Sequence, residues 1–353
     1  MTTINENKVQ AIIWTRGELS LLDQRRLPSR TEYLAIDSAQ EAAAAIRAMV
    51  VRGAPAIGIT AAYAIVLAGR RRLAEHGSAW REAFEQDLEL LSAARPTAVN
   101  LRWAVARMRQ VADQNEDGTV LAALTATAES IHAEDVASNH RMGELGAACI
   151  GAANGVLTHC NAGSLATGGY GTALGVIRRA YADGRIREVY AGETRPWLQG
   201  ARLTAWELVQ EGIPVTLIPD SAAAHLMRER RFDWVIVGAD RVAANGDAAN
   251  KIGTYSLAVN ARHHGVKFMV VAPTSTIDLE TACGNDVPIE ERGGDEVTTC
   301  AGTQIAPSAA RACNPVFDVT PAELIDVLVT EQGVIRRPRR ESIEALFTGP
   351  GGR

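Results

Sequence analysis

The chain has 353 residues, 47% hydrophobic and 22% charged, with a formal net charge of -5. That length exceeds one comfortable core and predicts two domains. The charge offers no footprint for nucleic acid or an anionic membrane surface, and no apolar run of about 18 residues predicts a bilayer span. The five cysteines (Cys149, Cys160, Cys283, Cys300 and Cys313) are scattered and form no CxxC pair. Their odd, sparse set points to a reducing compartment rather than a disulfide framework or zinc site. The polar stretch Met1 to Gln10 lacks the apolar core of a signal peptide, so a cytoplasmic protein is expected.

From Gln10 to about Asp37, apolar and polar residues alternate around Arg16-Gly17-Glu18, which predicts one or two β-hairpins with Trp14, Leu19 and Leu21 buried. Ser38-Ala39-Gln40-Glu41 has the form of a helix N-cap with Glu three residues on, and an Ala-rich helix is expected to follow. Helical spacing then covers 56–73, 80–93, 99–114 and 120–151. After Gly155 the rhythm changes. Apolar strands at 156–160, 188–191, 215–218, 234–237 and 268–271 alternate with helices beginning near Thr172, Leu203, Ser221 (as a cap) and Gly253. Continuous apolar strands separated by helices predict a parallel sheet covered on both faces. The expected fold class is therefore α/β: an N-terminal β-hairpin and helical domain over residues 1–150, then a doubly wound, Rossmann-like domain over 151–353.

In such sheets ligands bind beyond the carboxyl ends of the strands. Two places qualify. Cys160 opens Cys160-Asn161-Ala162-Gly163-Ser164-Leu165-Ala166-Thr167-Gly168-Gly169-Tyr170-Gly171-Thr172, a strand-to-helix loop whose amides suit a phosphate or sugar. It has neither the dinucleotide fingerprint nor the P-loop ending, and tight helix–sheet packing is the competing explanation. Cys160 is either a polarised thiol or an ordinary buried cysteine. Asp240, in Gly238-Ala239-Asp240-Arg241, is either an acid or base facing the crevice or a partner for Arg241. Asn250-Lys251-Ile252-Gly253-Thr254 would put a lysine in a helix's first turn, where the dipole disfavours it, so an anionic ligand or a protein salt bridge is expected there. Arg52, before the Gly53-Ala54-Pro55 turn, and Arg95, before Pro96-Thr97, each offer a bidentate fork for phosphate or a surface ion pair. Glu193 to Arg202 brings further polar groups, Gln199 among them, to the crevice edge. His159, His263 and His264 have no ligand spacing, so no metal is expected. Arg336, Arg337, Arg339 and Arg340, broken by Pro338, form a basic run that reads as a solvated tail or subunit contact, or less readily as an RNA site.

Six ordered segments share a further property. VRGAPAIG from Val51, RPTAVNLRWA from Arg95, THCNAGSLATGGYGTALG from Thr158, GETRPWLQGARLTAWEL from Gly192, GADRVAANGDAANKIGTYSLA from Gly238 and NPVFDVTP from Asn314 resemble the methylthioribose-1-phosphate isomerase family. That family is related to regulatory subunits of the translation initiation factor that exchanges guanine nucleotide. The resemblance runs from about Val9 to about Val334; Ser164 and Gly168 stand where alanine is expected, and the tail beyond Arg336 is less familiar. It implies conversion of 5-methylthioribose 1-phosphate to 5-methylthioribulose 1-phosphate in methionine salvage, without metal or nucleotide cofactor, by a homodimer. It also implies Cys160 and Asp240 as the catalytic pair, with Arg52, Gly53, Ala54, Arg95, Gln199, Asn250 and Lys251 binding substrate.

A phosphate on the anomeric oxygen locks the sugar as a ring, so an acid must act at the ring oxygen before, or in concert with, the movement of hydrogen from C2 to C1. Asp240, protonated through desolvation, is expected to be that acid. Cys160 is expected to act as base or to stabilise the intermediate, through either an enediol or a direct hydride shift. An isomerase of 5-deoxyribose 1-phosphate or ribose 1,5-bisphosphate, and a non-catalytic sugar-phosphate-binding regulatory subunit, are the competing readings.

Overall fold

The computed structural model describes residues 9–95 and 98–348, and these fall into two compact units. One runs up to His140 and also takes in Gly163–Gly171; the other comprises Arg141–Ala162 and the chain from Thr172 onward.

The first unit opens with strands β1 (Ile12–Thr15), β2 (Glu18–Leu22) and β3 (Tyr33–Ile36) in an antiparallel meander. Arg16 and Gly17 join β1 to β2 with φ of 56° and 81°, the two left-handed residues that a tight hairpin matched to strand twist requires. Leu19 and Leu21 are buried as their alternation predicts, whereas Trp14 is half-buried and stacks on Tyr63 with ring centroids 4.6 Å apart. Helix α1 (Ala39–Arg47) is capped as expected: the Glu41 amide donates to Ser38 Oγ at 3.2 Å. The Glu41 carboxylate reaches back to the Asp37 amide, one residue earlier than in the usual reciprocal box. Helices α2 (Ala54–His76), α3 (Trp80–Ser92), α4 (Val99–Gln114) and α5 (Val120–Cys149) follow, α5 belonging to this unit as far as His140. Every residue of α2 from Ala56 to Gly69 is buried, because that stretch has no polar face to offer solvent.

The second unit alternates strand and helix through β4 (Gly155–Thr158), α6 (Ala173–Ala182), β5 (Glu188–Gly192), α7 (Ala205–Gln210), β6 (Val215–Ile218), α8 (Ala223–Arg228) and β7 (Trp234–Val237). The chain continues through β8 (Arg241–Ala243), β9 (Ala248–Lys251), α9 (Thr254–His264), β10 (Lys267–Val271) and β11 (Ile277–Asp278). Next come α10 (Asp295–Thr298), β12 (Thr299–Cys300), β13 (Thr303–Gln304), β14 (Phe317–Thr320), β15 (Val327–Thr330), β16 (Gly333–Arg336) and α11 (Arg340–Thr348). Seven strands form the main sheet in the order β16-β15-β10-β7-β4-β5-β6, parallel except for the edge strand β16. This is doubly wound topology. The chain steps from β4 to β5 and β6 on one side, then returns to β7 and β10 on the other. Successive strand residues serve opposite faces: Leu157, Val235 and Phe268 pack into one core, and Val156, Ile236 and Met269 into the other. A smaller sheet, β11-β8-β9-β14, adjoins the end of β7 in sequence.

Several local expectations change. A π-helical turn, Gly200–Thr204, precedes α7, so the helix expected from Leu203 begins two residues later. Ser221 caps nothing; it lies inside a 3-10 turn, Asp220–Ala222, that leads into α8. His159 falls just beyond β4 rather than within it. Lys251 ends strand β9 and does not enter the helix, which starts at Thr254 after the left-handed Gly253. The helix-dipole argument for an anion at Lys251 therefore does not apply. The basic run is built structure: Arg336 closes β16, Pro338 is buried, and Arg340 opens α11.

The two-faced core makes a direct prediction. Phe268→Ala should cost about 3–5 kcal/mol in urea-unfolding measurements, as expected for a fully buried aromatic. Leu217→Ala, exposed on edge strand β6, should change stability by no more than about 0.5 kcal/mol. Equal losses from the two would contradict the assigned core.

Candidate active site

Strand β4 is where the winding direction reverses, so the crevice beyond the carboxyl ends of β4 and β7 is the topological switch point. Cys160 follows β4 by two residues and Asp240 follows β7 by three. The two segments touch: a Cβ added to Gly238 would stand 2.8 Å from the Cβ of Ala162, so only glycine permits this approach.

Cys160 is buried and left-handed, with φ of 61°. For a residue other than glycine that conformation costs about 1–2 kcal/mol. Its peptide groups are held on both sides. The Cys160 amide donates to Thr194 Oγ1 at 2.9 Å, and Thr204 Oγ1 donates to the Cys160 carbonyl at 2.6 Å. Thr194 and Leu198 are also left-handed, at 63° and 57°, which places three strained residues along one sheet edge. Strain of this kind collects where structure serves function. Behind Cys160, Asn161 Nδ2 donates to Glu207 Oε1 at 2.8 Å, and Arg178 binds Glu207 at 2.8 Å and Glu211 at 2.6 Å. All of these side chains are buried. Burial alone would lower the Arg178 guanidinium, but the two carboxylates outweigh it and push it above its ordinary value.

The Asp240 amide donates to the Ala249 carbonyl at 2.9 Å, and the β8–β9 register continued by one residue sets Asp240 opposite Asn250. Arg241, the sequence-adjacent candidate for neutralising Asp240, instead pairs with Asp278 at 3.0 Å. Asn250 Nδ2 donates to Thr254 Oγ1 at 3.0 Å, and Lys251 Nζ lies 4.1 Å from the Phe317 ring centroid. The buried imidazole of His159 ties the two strand ends together. Its Nε2 donates to the Ile252 carbonyl at 2.8 Å, and Gly253 packs against its ring. Burial lowers the His159 imidazole, against the opposing pull of Asp220. Gln199 starts the π-helical turn, and its buried Oε1 has no hydrogen-bond partner among the described residues. An orphaned buried acceptor is costly, and a ligand donor would satisfy it. Cys160, Asp240, Gln199, Asn250 and Lys251 thus share the carboxyl-end region of this one unit.

In the helical unit, Gly53 N-caps α2 with φ of 96°, and Ala54 is the helix's first residue. A Cβ at Gly53 would lie 2.5 Å from the Ala166 backbone, so the turn requires glycine. Arg52 precedes it, half-buried. Arg95 is half-buried in the bend before α4, while Pro96 and Thr97 lie outside the described residues. Helices α2 and α4 approach near their N-terminal ends, where Gly58 faces the Asn100 carbonyl.

The later part of the glycine-rich loop bonds within the protein. The Gly168 amide donates to Asp135 at 2.7 Å, Gly169 to Thr167 Oγ1 at 3.2 Å, and Gly171 to the Gly169 carbonyl at 2.7 Å. His132 Nε2 binds the Gly168 carbonyl at 2.8 Å and Asn139 Nδ2 the Gly169 carbonyl at 3.0 Å. These amides serve α5 and the loop itself, and a carboxylate already stands beside them. The roles of Thr194, Thr204 and Asp318 carry no sequence signal, since a lone hydroxyl or carboxylate has no spacing to read, and His159, weighed only as a metal ligand, serves instead as a tie between segments. Asp318, on β14, accepts from the amides of Gly253 at 2.7 Å and Tyr255 at 3.1 Å. It therefore caps α9, and burial pushes its carboxyl up to about 6.

The doubly wound sheet makes this an α/β protein of the Rossmann-like class, with Cys160 and Asp240 at its switch point. The chain belongs to the Initiation factor 2 subunit family, whose sequence profile matches residues 50–337. It is 63% identical over 346 residues to the methylthioribose-1-phosphate isomerase of Thioalkalivibrio sulfidiphilus, covering 98% of this chain and 99% of that one. Identity to the isomerase of the same name from Nitrosococcus oceani is 58%, over 97% and 98% of the two chains. Among solved structures, 5-methylthioribose 1-phosphate isomerase from Pyrococcus horikoshii superposes with a TM-score of 0.92 at 42% identity, covering 97% and 96%. A structure described as translation initiation factor eIF-2B, subunit delta, from A. fulgidus gives 0.84 at 43%, covering 95% and 99%.

Asp318 supplies a pH test. Its carboxyl is raised in the folded chain, so between about pH 4 and 6 the native state holds a proton that the unfolded state has released. Its contribution to stability is present below that window and is lost as pH rises through it. Asp318→Asn removes this term, so the slope of Tm against pH from 4 to 6 should become more positive than in the parent. An unchanged slope would show that Asp318 titrates normally.

Proposed function

We propose that the chain is an aldose–ketose isomerase converting 5-methylthioribose 1-phosphate to 5-methylthioribulose 1-phosphate in methionine salvage. The observation that carries this reading is the juxtaposition of the Cys160 and Asp240 segments at the switch point. The near full-length relatives that bear the isomerase name support it. Asp240 is the proton donor to the ring oxygen as the bond from C1 to that oxygen breaks. Hydrogen then passes from C2 to C1, and the proton of the 2-hydroxyl is released as the C2 ketone forms. Cys160 takes and returns the C2 proton in an enediol route, or lines the reacting carbons in a direct transfer. Reactant and product are isomers, so the cycle needs no external oxidant or reductant.

Substrate binding falls to Arg52, Gly53, Ala54, Arg95, Gln199, Asn250 and Lys251. The two arginines supply forks for the phosphate, and Gln199 supplies an acceptor for a sugar hydroxyl. Cytoplasmic location, a homodimer, and turnover without metal or nucleotide belong to the same proposal. Among the described residues no helix is long and apolar enough to cross a membrane.

The initiation-factor description of the A. fulgidus structure favours a second reading, a sugar-phosphate-binding subunit without turnover. An NMR assay of purified, metal-free protein with 5-methylthioribose 1-phosphate, 5-deoxyribose 1-phosphate and ribose 1,5-bisphosphate separates the possibilities. The methylthio sugar should be converted fastest, and Asp240→Asn or Cys160→Ser should each lower kcat by about 10²–10⁴-fold. Deuterium placed at C2 and retained at C1 would favour direct transfer; its loss to water would assign the enediol route, with Cys160 as base if Cys160→Ser abolishes the exchange. Binding without turnover of any of the three sugars would favour the subunit reading.

A further inference from the structure

We propose that Thr194 and Thr204 are positioning residues for Cys160, a pair of buried hydroxyls that hold its peptide in the left-handed conformation and aim its thiol into the switch-point crevice. This rests on Cys160 being a reacting group of the proposed isomerase. Both threonines are fully buried, and they come from opposite ends of one segment, the loop after β5 and the π-helical turn before α7. Each hydroxyl does double service. Thr194 Oγ1 accepts from the Cys160 amide and donates to the Gly192 carbonyl at 3.1 Å, which fixes it to the end of β5. Thr204 Oγ1 donates to the Cys160 carbonyl and accepts from Asn161 Nδ2 at 3.3 Å. The amide and carbonyl of Cys160 are therefore both bonded to side chains rather than to strand or helix backbone.

The second anchor is itself braced. Thr204 and Glu207 are three residues apart on the same helical face, and Asn161 reaches both. Glu207 is in turn gripped by Arg178 of α6. The π-helical turn is what makes this geometry possible. Gly200 approaches the Gly192 carbonyl so closely that a Cβ would come within 1.7 Å of it, and the widened turn then delivers Thr204 beneath Cys160. A valine in place of either threonine keeps the volume and removes the hydroxyl. The left-handed peptide would then be free to relax and swing the thiol aside.

The test combines turnover with the chemistry of the thiol itself. In Thr204→Val, kcat should fall about 10- to 100-fold while KM for the sugar phosphate changes less than about threefold, as expected for a misaimed group rather than a lost binding contact. Site-resolved alkylation by iodoacetamide, followed by mass spectrometry in the folded full-length chain, should show a changed rate at Cys160 and unchanged rates at Cys149 and Cys300. Thr204→Ser restores the hydroxyl and should return both readouts to within about threefold of the parent. Thr194→Val provides the independent variant should Thr204→Val fail to fold. Native kcat and native Cys160 alkylation in a folded valine variant would overturn the proposal, as would failure of Thr204→Ser to rescue. If the parent chain turns over no sugar phosphate, the isomerase reading fails, and the clamp is judged on Cys160 alkylation alone.

Discussion

The parallel pairing of β4 with β5 on one side and β7 on the other is the constraint on which the site depends. Only at that strand do two chain directions diverge, leaving a crevice that no crossover helix fills. Strand ends deliver three segments to it: Cys160 follows β4, the Thr194–Gln199 stretch follows β5, and Asp240 follows β7. The apolar strands have no chemistry of their own. Their registers set where the chemistry emerges, and the packing of Gly238 on Ala162 brings two of those exits into contact.

Polar burial then converts an approximate location into a defined one. Arg178, Glu207 and Glu211 lie in the interior, where one partner left alone would be strongly destabilising. Together with Asn161 they form a connected network rather than isolated charges. His159 adds a second tie, joining the end of β4 to the turn that follows Lys251. The segment around Cys160 is in this way fixed by side chains from α6 and α7 and by the Ile252 carbonyl at the β9–α9 junction, and its strain is held against these attachments.

Much of this order was readable from residue patterns. The strands at 234–237 and 268–271 fall where the apolar runs put them, because a strand covered on both faces must be apolar at every position. Helices α2 to α5 begin and end within a few residues of their periodicity, and Ser38 caps α1 as its sequence suggests. The exceptions share a cause: they depend on partners distant in the chain. Ala248–Lys251 carries no apolar run, and it is a strand because β8 and β14 pair with it. The π-helical turn reflects a close approach to Gly192 that no local propensity encodes. The glycine-rich loop has the composition of an anion site, yet Asp135, His132 and Asn139 on α5, far upstream, claim its backbone groups. Of the proposed site, the placement of Cys160 and Asp240 at strand ends and of Gln199 in the segment after β5 was legible from the sequence. The hydroxyls that hold Cys160 were not, since threonine is common and silent.

The excursion of Gly163–Gly171 out of the α/β unit has a consequence for how such a chain can be recombined. After Ala162 the backbone departs to the helical unit and returns at Thr172, having become part of that unit's fabric through Ala166 against Gly53 and Gly168 against His132. A chimaera that swaps one unit with a relative at a single junction near residue 150 would import a foreign nine-residue insert into the helical unit's packing. Exchange is faithful only if the splice is made in three places, so that each half keeps its own pieces. The two units are thus inherited as interleaved text, and neither can be transplanted by one cut.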